Sequence, residues 1–164
     1  MKKTKLQQII KEEFNKILAE AKMFDDPSEL ISGVDAFLDD LYVNKTTKWQ
    51  ATLRNIIDQD TGFSNIVNQV LSLVEIIEKE LSILNNFDKD IRMYIEEYDE
   101  VYQKSGELSP QDNKIYDELD DTNYKLVKTK DQIEEYISTL KEITEHYEGL
   151  EYTLGSLLRY RFKS

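Results

Sequence analysis

The chain contains no cysteine, so disulfides, thiolate metal sites and a cysteine nucleophile are excluded from the start, and cysteine usage carries no sign of redox compartment. Proline occurs twice and glycine five times in 164 residues. Strand-rich folds turn often and spend those residues at turns, whereas long helices need few of them. There is one histidine and one tryptophan. Zinc and di-iron centres in helical bundles draw on several histidines or a Glu-x-x-His pair. The residue three before His146 is Ile143, so that pattern fails. No run approaches the 18 apolar residues that a membrane span requires, and no charged-apolar-small leader opens the chain. The five glycines are isolated, which removes any Gly-rich phosphate loop.

What is present in excess is acid. The formal net charge is -12, with 33 Asp and Glu against 21 Lys and Arg. The two ends are mildly basic and the middle is strongly acidic. A surface of that sign repels nucleic acid and anionic membrane and favours basic protein patches. The expected setting is therefore cytoplasmic or inside a virion, with a protein partner, or a second copy, and neither nucleic acid nor membrane.

Apolar spacing draws five helices. The first runs from about Lys3 to Phe24, with Leu6, Ile10, Phe14, Ile17, Ala21 and Phe24 on one stripe. Asp26-Pro27-Ser28-Glu29 then starts a second helix, with an acceptor at the cap and Pro at the first position. Its inner face is Leu30, Val34, Phe37, Leu38 and Leu41. Asn44 to Thr47 reads as a break, with a threonine hydroxyl as cap for a third helix carrying Trp49, Leu53, Ile56 and Ile57, which stops at Asp60-Thr61-Gly62.

The fourth helix shows a coiled-coil seam. Steps of four and three from Phe63 pass through Val67, Val70, Val74, Ile77, Leu81, Leu84, Asp88, Ile91, Ile95, Tyr98 and Tyr102. Ile66, Leu73, Phe87, Tyr94 and Val101 broaden it on one shoulder, and so wide a stripe requires two partner helices. Ser105 to Pro110 is a turn with Ser109 as cap, and the fifth helix follows from Pro110 to about residue 162, its seam running from Ile115 to Leu157. At 1.5 Å per residue the two long helices would measure about 63 and 75 Å and lie antiparallel. The fold class is thus all-α. A long hairpin, 63–105 and 110–162 with its turn at 105–109, packs with the short helices of residues 1–62, which are expected at the hairpin's base.

With the turn centred near residue 107, positions summing to about 215 face each other. Asp88 then falls near Lys128 and Lys130, level with Thr122 and Thr129, which predicts a polar layer halfway along the hairpin. The competing account turns Asp88 to solvent as the stripe drifts.

Chemistry finds little purchase. Asp58-Gln59-Asp60-Thr61-Gly62 resembles the start of a calcium loop, but glycine sits at position five and position twelve is Gln69, not Glu. Acidic doublets such as Asp39-Asp40 and Glu134-Glu135 point to different sides of a helix and read as solvated faces rather than an acid-base pair. No catalytic residue, metal ligand or cofactor site is expected, and the chain is read as a non-enzyme. Interaction residues are easier to name. Tyr94, Tyr98 and Tyr102 form a stripe near the tip, with Tyr116 across the turn, where the rings either seal the thin end of the hairpin or offer a binding site. Arg159 and Arg161 sit in a basic, aromatic ending that suits either a docking tail or cations at a helix C-terminus.

The opening Lys5-Leu6-Gln7-Gln8-Ile9-Ile10-Lys11-Glu12-Glu13-Phe14 resembles a helix that begins many small proteins of large tailed bacteriophages. That resemblance implies a virion component or accessory protein. The expected function is non-enzymatic protein–protein interaction or assembly. The alternative is an acidic, DNA-mimicking inhibitor of a nucleic-acid-binding protein. Duplex DNA carries one charge per about 1.7 Å, or roughly 37 along such an arm. Residues 63–148 hold 21 acids and a net charge of only -12, a poor match unless the acids gather on one face.

Overall fold

Two of the helices begin where a side chain and a proline resolve the unpaired backbone N–H groups of the first turn. In the computed structural model, which describes residues 5, 9, 26–59, 61–145 and 150–163, the Asp26 carboxylate accepts from the Ser28 N–H at 2.9 Å ahead of α1 (Pro27–Asp40). Ser109 does the same for α4 (Pro110–Glu145), accepting from the Asp112 N–H at 3.1 Å. Between them, α3 (Phe63–Ser105) closes at Gly106, whose φ of 77° is the left-handed region, and its N–H donates to the Tyr102 carbonyl at 2.7 Å. Turn, caps and hairpin therefore stand where the residue types placed them. All described elements are helical, and among them none is long and apolar enough to cross a membrane.

The hairpin register is visible in its cross-pairs. Tyr116 donates to Asp99 at 3.1 Å, Lys130 reaches Asp88 at 3.3 Å, and Lys141 reaches Glu78 at 3.0 Å. Fully buried residues recur every seven positions on both strands of the hairpin. Val70, Ile77, Leu84 and Ile91 on α3 face Leu119, Leu126, Ile133 and Leu140 on α4. The polar layer is present. Asp88 is 8% exposed and held by Lys130 and by Arg92 at 3.1 Å, while Thr122 and Thr129 are buried beside the seam.

The N-terminal helices depart from the expected arrangement in two ways. Asn44 to Thr47 is not a break. A π-helical turn, Leu41–Lys45, joins α1 to α2 (Thr46–Asp58) with helical backbone at both joints. The Thr46 and Thr47 hydroxyls that read as a cap instead bond back to the carbonyls of Tyr42 and Val43, at 2.9 and 3.1 Å. The extra residue has a packing reason. The buried series Leu30, Val34, Leu38, Leu41, Thr46, Trp49, Leu53, Ile56 contains one step of five, which only an i→i+5 turn keeps on one face. Secondly, this run does not sit at the base alone. Pro27 lies beside Tyr94 and Tyr98 near the tip, Phe37 meets Phe87 edge-on at 5.5 Å, and Lys45 pairs with Glu80 at 2.7 Å. It runs antiparallel to α3 and covers the shoulder of the wide stripe, burying Leu73, Phe87 and Tyr94. The result is a three-helix bundle along most of the hairpin.

The last helix is also corrected. It does not continue to residue 162. α4 ends at Glu145, about 54 Å from its start, and α5 (Leu150–Arg159) runs back along it. Tyr160 packs on Tyr136 and Lys163 pairs with Gln132, so chain positions on either side of 146–149 face each other in reverse order. Residues 146–149, with His146 and Gly149, lie outside the described residues. Leu150, Leu154 and Leu157 keep the same three-and-four spacing in either direction, so spacing could not reveal the reversal.

The Asp88 layer is open to a stability measurement. Asp88→Ala strands a mostly buried Lys130 (18% side-chain exposure) and should cost about 2 kcal/mol. Asp88→Leu combined with Lys130→Met replaces both charges and should recover most of that loss. Urea midpoints for the two variants at constant slope check the pair.

Candidate functional site

The two groups of residues singled out from sequence end up well apart, one at the tip and the other beside the middle and lower half of α4. At the tip, the rings of Tyr98 and Tyr116 meet edge-to-face with centroids 6.5 Å apart. Burial is the main cause that raises the Tyr98 hydroxyl's pKa, with Asp112 and Asp26 adding to it. The hydrogen bond to Asp99 raises that of Tyr116. Tyr94 is not available to a partner. It is 5% exposed and belongs to the core, because the shoulder of α3 on which it lies is covered by α1. Tyr102, at 56% exposure, is the open ring of the four, next to Val101 at 49%. Pro27, Tyr94, Glu97, Tyr98 and Val101 outline a shallow groove of about 290 Å³ there.

The charge around these rings is lopsided. Residues 93–121 carry ten acids and two lysines, a net of -8 out of the chain's -12. Nine of the ten acids are exposed, Asp112 being half-buried. Asp26 and Glu29, also exposed, stand at the adjoining start of α1.

Along the lower half of α4, Arg159 and Arg161 are exposed while Leu158, Tyr160 and Phe162 between and beside them pack on the core. Beyond α5 the chain extends, and alternation puts Tyr160 and Phe162 against the bundle. Four rings cluster there. Phe162 lies 5.1 Å from Tyr136, 4.9 Å from Tyr160 and 6.0 Å from Trp49, centroid to centroid. The tail backbone is gripped by amides. Gln132 accepts from the Lys163 N–H and donates to its carbonyl, both at 2.7 Å, and Gln50 donates to the Tyr160 carbonyl. Tyr42, set by the π-helical turn, places its hydroxyl 2.7 Å from Thr129 and 3.1 Å from the Lys163 carbonyl. Arg159 bonds its own helix at the Gly155 carbonyl, 3.0 Å away. The ending is thus a tail docked on its own chain, held by the core rings of Trp49 and Tyr136 and by Tyr42, Gln50 and Gln132, which the helical pattern did not single out. Its signal in the sequence was the period-two alternation of Tyr160 and Phe162 after a helix stop.

A third feature is an open groove of about 550 Å³ between α1 and α4, with Asp35 and Asp39 on one wall and Lys125 and Lys128 on the other. Its lining holds no histidine and no nucleophile set against a base. Among the described residues no group of three or more His, Asp or Glu is placed to hold a metal.

The docked tail gives two expectations. The Tyr160 pKa is pushed up to about 12 by burial and by its hydrogen bond to Glu135, against an ordinary 10.0, and burial raises that of Tyr136 further still. A raised pKa means the folded state holds these protons longer than the unfolded one. Their stabilisation is complete below pH 10 and is lost as pH climbs toward 12. Tyrosinate absorbance and helicity should change together in that window, and Tyr160→Phe should shift both. The buried Tyr136 hydroxyl has no hydrogen-bond partner among the described residues. Tyr136→Phe removes that unpaired group and should stabilise by about 1 kcal/mol, read as a higher Tm.

Compared with known protein families, with curated proteins and with solved structures, the chain matches none, and its function is read from this geometry.

Proposed function

We propose that the chain is a non-enzymatic helical protein–protein interaction protein, and that it engages a partner with a basic surface through the tip of the bundle. The observation that carries this reading is the coincidence of charge and aromatics. A net charge of -8 over residues 93–121 surrounds the exposed Tyr102 and Val101 and the Tyr98–Tyr116 pair. Aromatic rings supply contact area at low entropic cost, and a ring of one charge sign speeds encounter with the opposite sign and fixes orientation. The basic tail spends its aromatics on its own core, which leaves it less to offer a partner. Taken with the resemblance of the opening residues, the same reading makes the chain an assembly or accessory component of a phage.

Concentration of acid at one end also favours a second reading. An acidic inhibitor of a nucleic-acid-binding protein needs its charges gathered in this way, and its target would likewise present a basic groove. The two readings differ in competition. An inhibitor's partner releases nucleic acid when the chain binds, and an assembly partner has none to release.

A photo-crosslinking residue placed at Tyr102 of the full chain, with Arg161 as the comparison site, tests the surface in extracts of the native host. The Tyr102 probe should capture one discrete protein. Reversing Glu96, Glu97, Asp99 and Glu100 to Lys should weaken that capture roughly tenfold or more, and added salt should do the same. Capture from Arg161 alone, or capture indifferent to the reversal, rejects the tip as the binding surface.

A further inference from the structure

α1 and α4 both run antiparallel to α3, so they lie parallel to each other. The 2.7 Å hydrogen bond between Tyr42 and Thr129 fixes their relative height. Toward the tip from that bond, the two helices part into the open groove of about 550 Å³. In the other direction the same seam is filled, because the Lys163 carbonyl accepts from Tyr42 on one side and from Gln132 on the other. The groove is the part of the seam that the described residues leave uncovered.

Its two walls carry opposite charges that the chain does not pair across it. Asp35 and Asp39 stand one turn apart on α1, a like-charged couple that a helix by itself disfavours. Neither has an ion pair among the described residues, and nor does Lys128 on the facing wall. Lys125 is engaged by Asp121 of its own helix, at 3.2 Å. Counting from the Tyr42–Thr129 contact along two parallel helices, Asp39 stands level with the gap between Lys125 and Lys128. Tyr124 stands level with the gap between Asp35 and Asp39, and at 70% it is the most exposed large apolar side chain described.

We infer that two copies of the chain pair through this face, with the twofold axis along the groove, so that α1 of each lies against α4 of the other. Rotation about such an axis keeps every height and exchanges the walls. Asp39 of one copy then meets Lys125 and Lys128 of its mate, the mate's Tyr124 hydroxyl donates to Asp35 or Asp39, and each contact is made twice. The other twofold arrangement, with its axis across the helices, sets acid against acid and lysine against lysine. Charge therefore selects the parallel pair. Leu38 and Tyr42 floor the groove, and an exposed tyrosine beside them is the residue type that contributes most at such contacts.

Parallel pairing puts both tips at the same end, each with a net charge of -8 over residues 93–121. The screening length at physiological ionic strength is about 8 Å. A single helix with its side chains is already about 10 Å across, so the repulsion between the two tips is largely screened, whereas contacts inside the closed groove are not. The pair presents two acidic tips together, and a partner with repeated basic sites would gain avidity without any new contact. Pairing itself does not depend on what the tip binds.

Sedimentation equilibrium of the full chain at physiological salt tests the inference. The mass should rise from 19.3 kDa toward twice that value as concentration increases. Asp35→Lys with Asp39→Lys in one variant, and Lys125→Glu with Lys128→Glu in a second, should each weaken pairing roughly tenfold or more. An equimolar mixture of the two variants should recover it, because both crossings then join opposite charges again. None of the four positions is buried, so each variant should keep the parent's helicity. If one does not, Tyr124→Glu replaces it and should weaken pairing by a similar factor. A parent chain that stays at 19.3 kDa overturns the inference, and so does a dimer indifferent to these variants or a mixture that fails to recover. Reversing Glu96, Glu97, Asp99 and Glu100 at the tip should leave the pair intact, so failure of pairing and failure of the tip as a binding surface are told apart.

Discussion

Everything in this fold follows from the width of one apolar stripe. α3 carries a heptad seam and a full shoulder beside it, and a single facing helix leaves the shoulder in water. Covering it with α4 on one side and the α1–α2 run on the other removes Leu73, Phe87 and Tyr94 from solvent. Each such side chain is worth about 1.5–3 kcal/mol when fully buried, so the third helix is set by energetics and not by connectivity alone. The two-helix arm that a narrower seam would have produced is instead a bundle over most of its length.

That constraint also sorts the tyrosines. Tyr94 on the shoulder becomes core, Tyr98 on the seam is half-covered, and Tyr102 one turn further, past the reach of α1, stays open. The boundary between structural and available aromatics is thus the level of Pro27. The same logic operates lower on the bundle, where Trp49 and Tyr136 would leave a hydrophobic face but for Tyr160 and Phe162 returning to cover it.

Much of this was legible in the sequence wherever a local rule had one physical solution. Asp26-Pro27 and Ser109-Pro110 are caps, residues 105–109 are the turn, and seven-residue spacing plus that short turn sets the hairpin register well enough to pair Asp88 with Lys130. Two features were not legible, each because the pattern is degenerate. A hydroxyl pair such as Thr46-Thr47 serves a cap or an i−4 back-bond equally well, and only the burial of Thr46 in three dimensions selects the second. The stripe of Leu150, Leu154 and Leu157 reads identically for a helix going on or coming back. The tyrosines stand near the tip as expected, but the arginines, expected at the far end of an unbroken last helix, are carried back beside the middle of α4 by the chain reversal. Accessibility at both places depended on which element covered which, and a single chain's periodicity does not encode that.

The π-helical turn at Leu41–Lys45 has an implication for how this sequence can vary. It behaves as a one-residue insertion in an otherwise regular helix. Removing one residue there would turn the step of five between Leu41 and Thr46 into a step of four, which ordinary α-helical geometry keeps on the same face. Trp49 would stay on Phe162 and Gln50 on the Tyr160 carbonyl, so the tail would keep its seat. Val43 and Asn44 within the turn face solvent and would each tolerate exchange. A surface segment that accepts both substitution and the loss of a single residue is the trace this packing should leave among descendants of the chain.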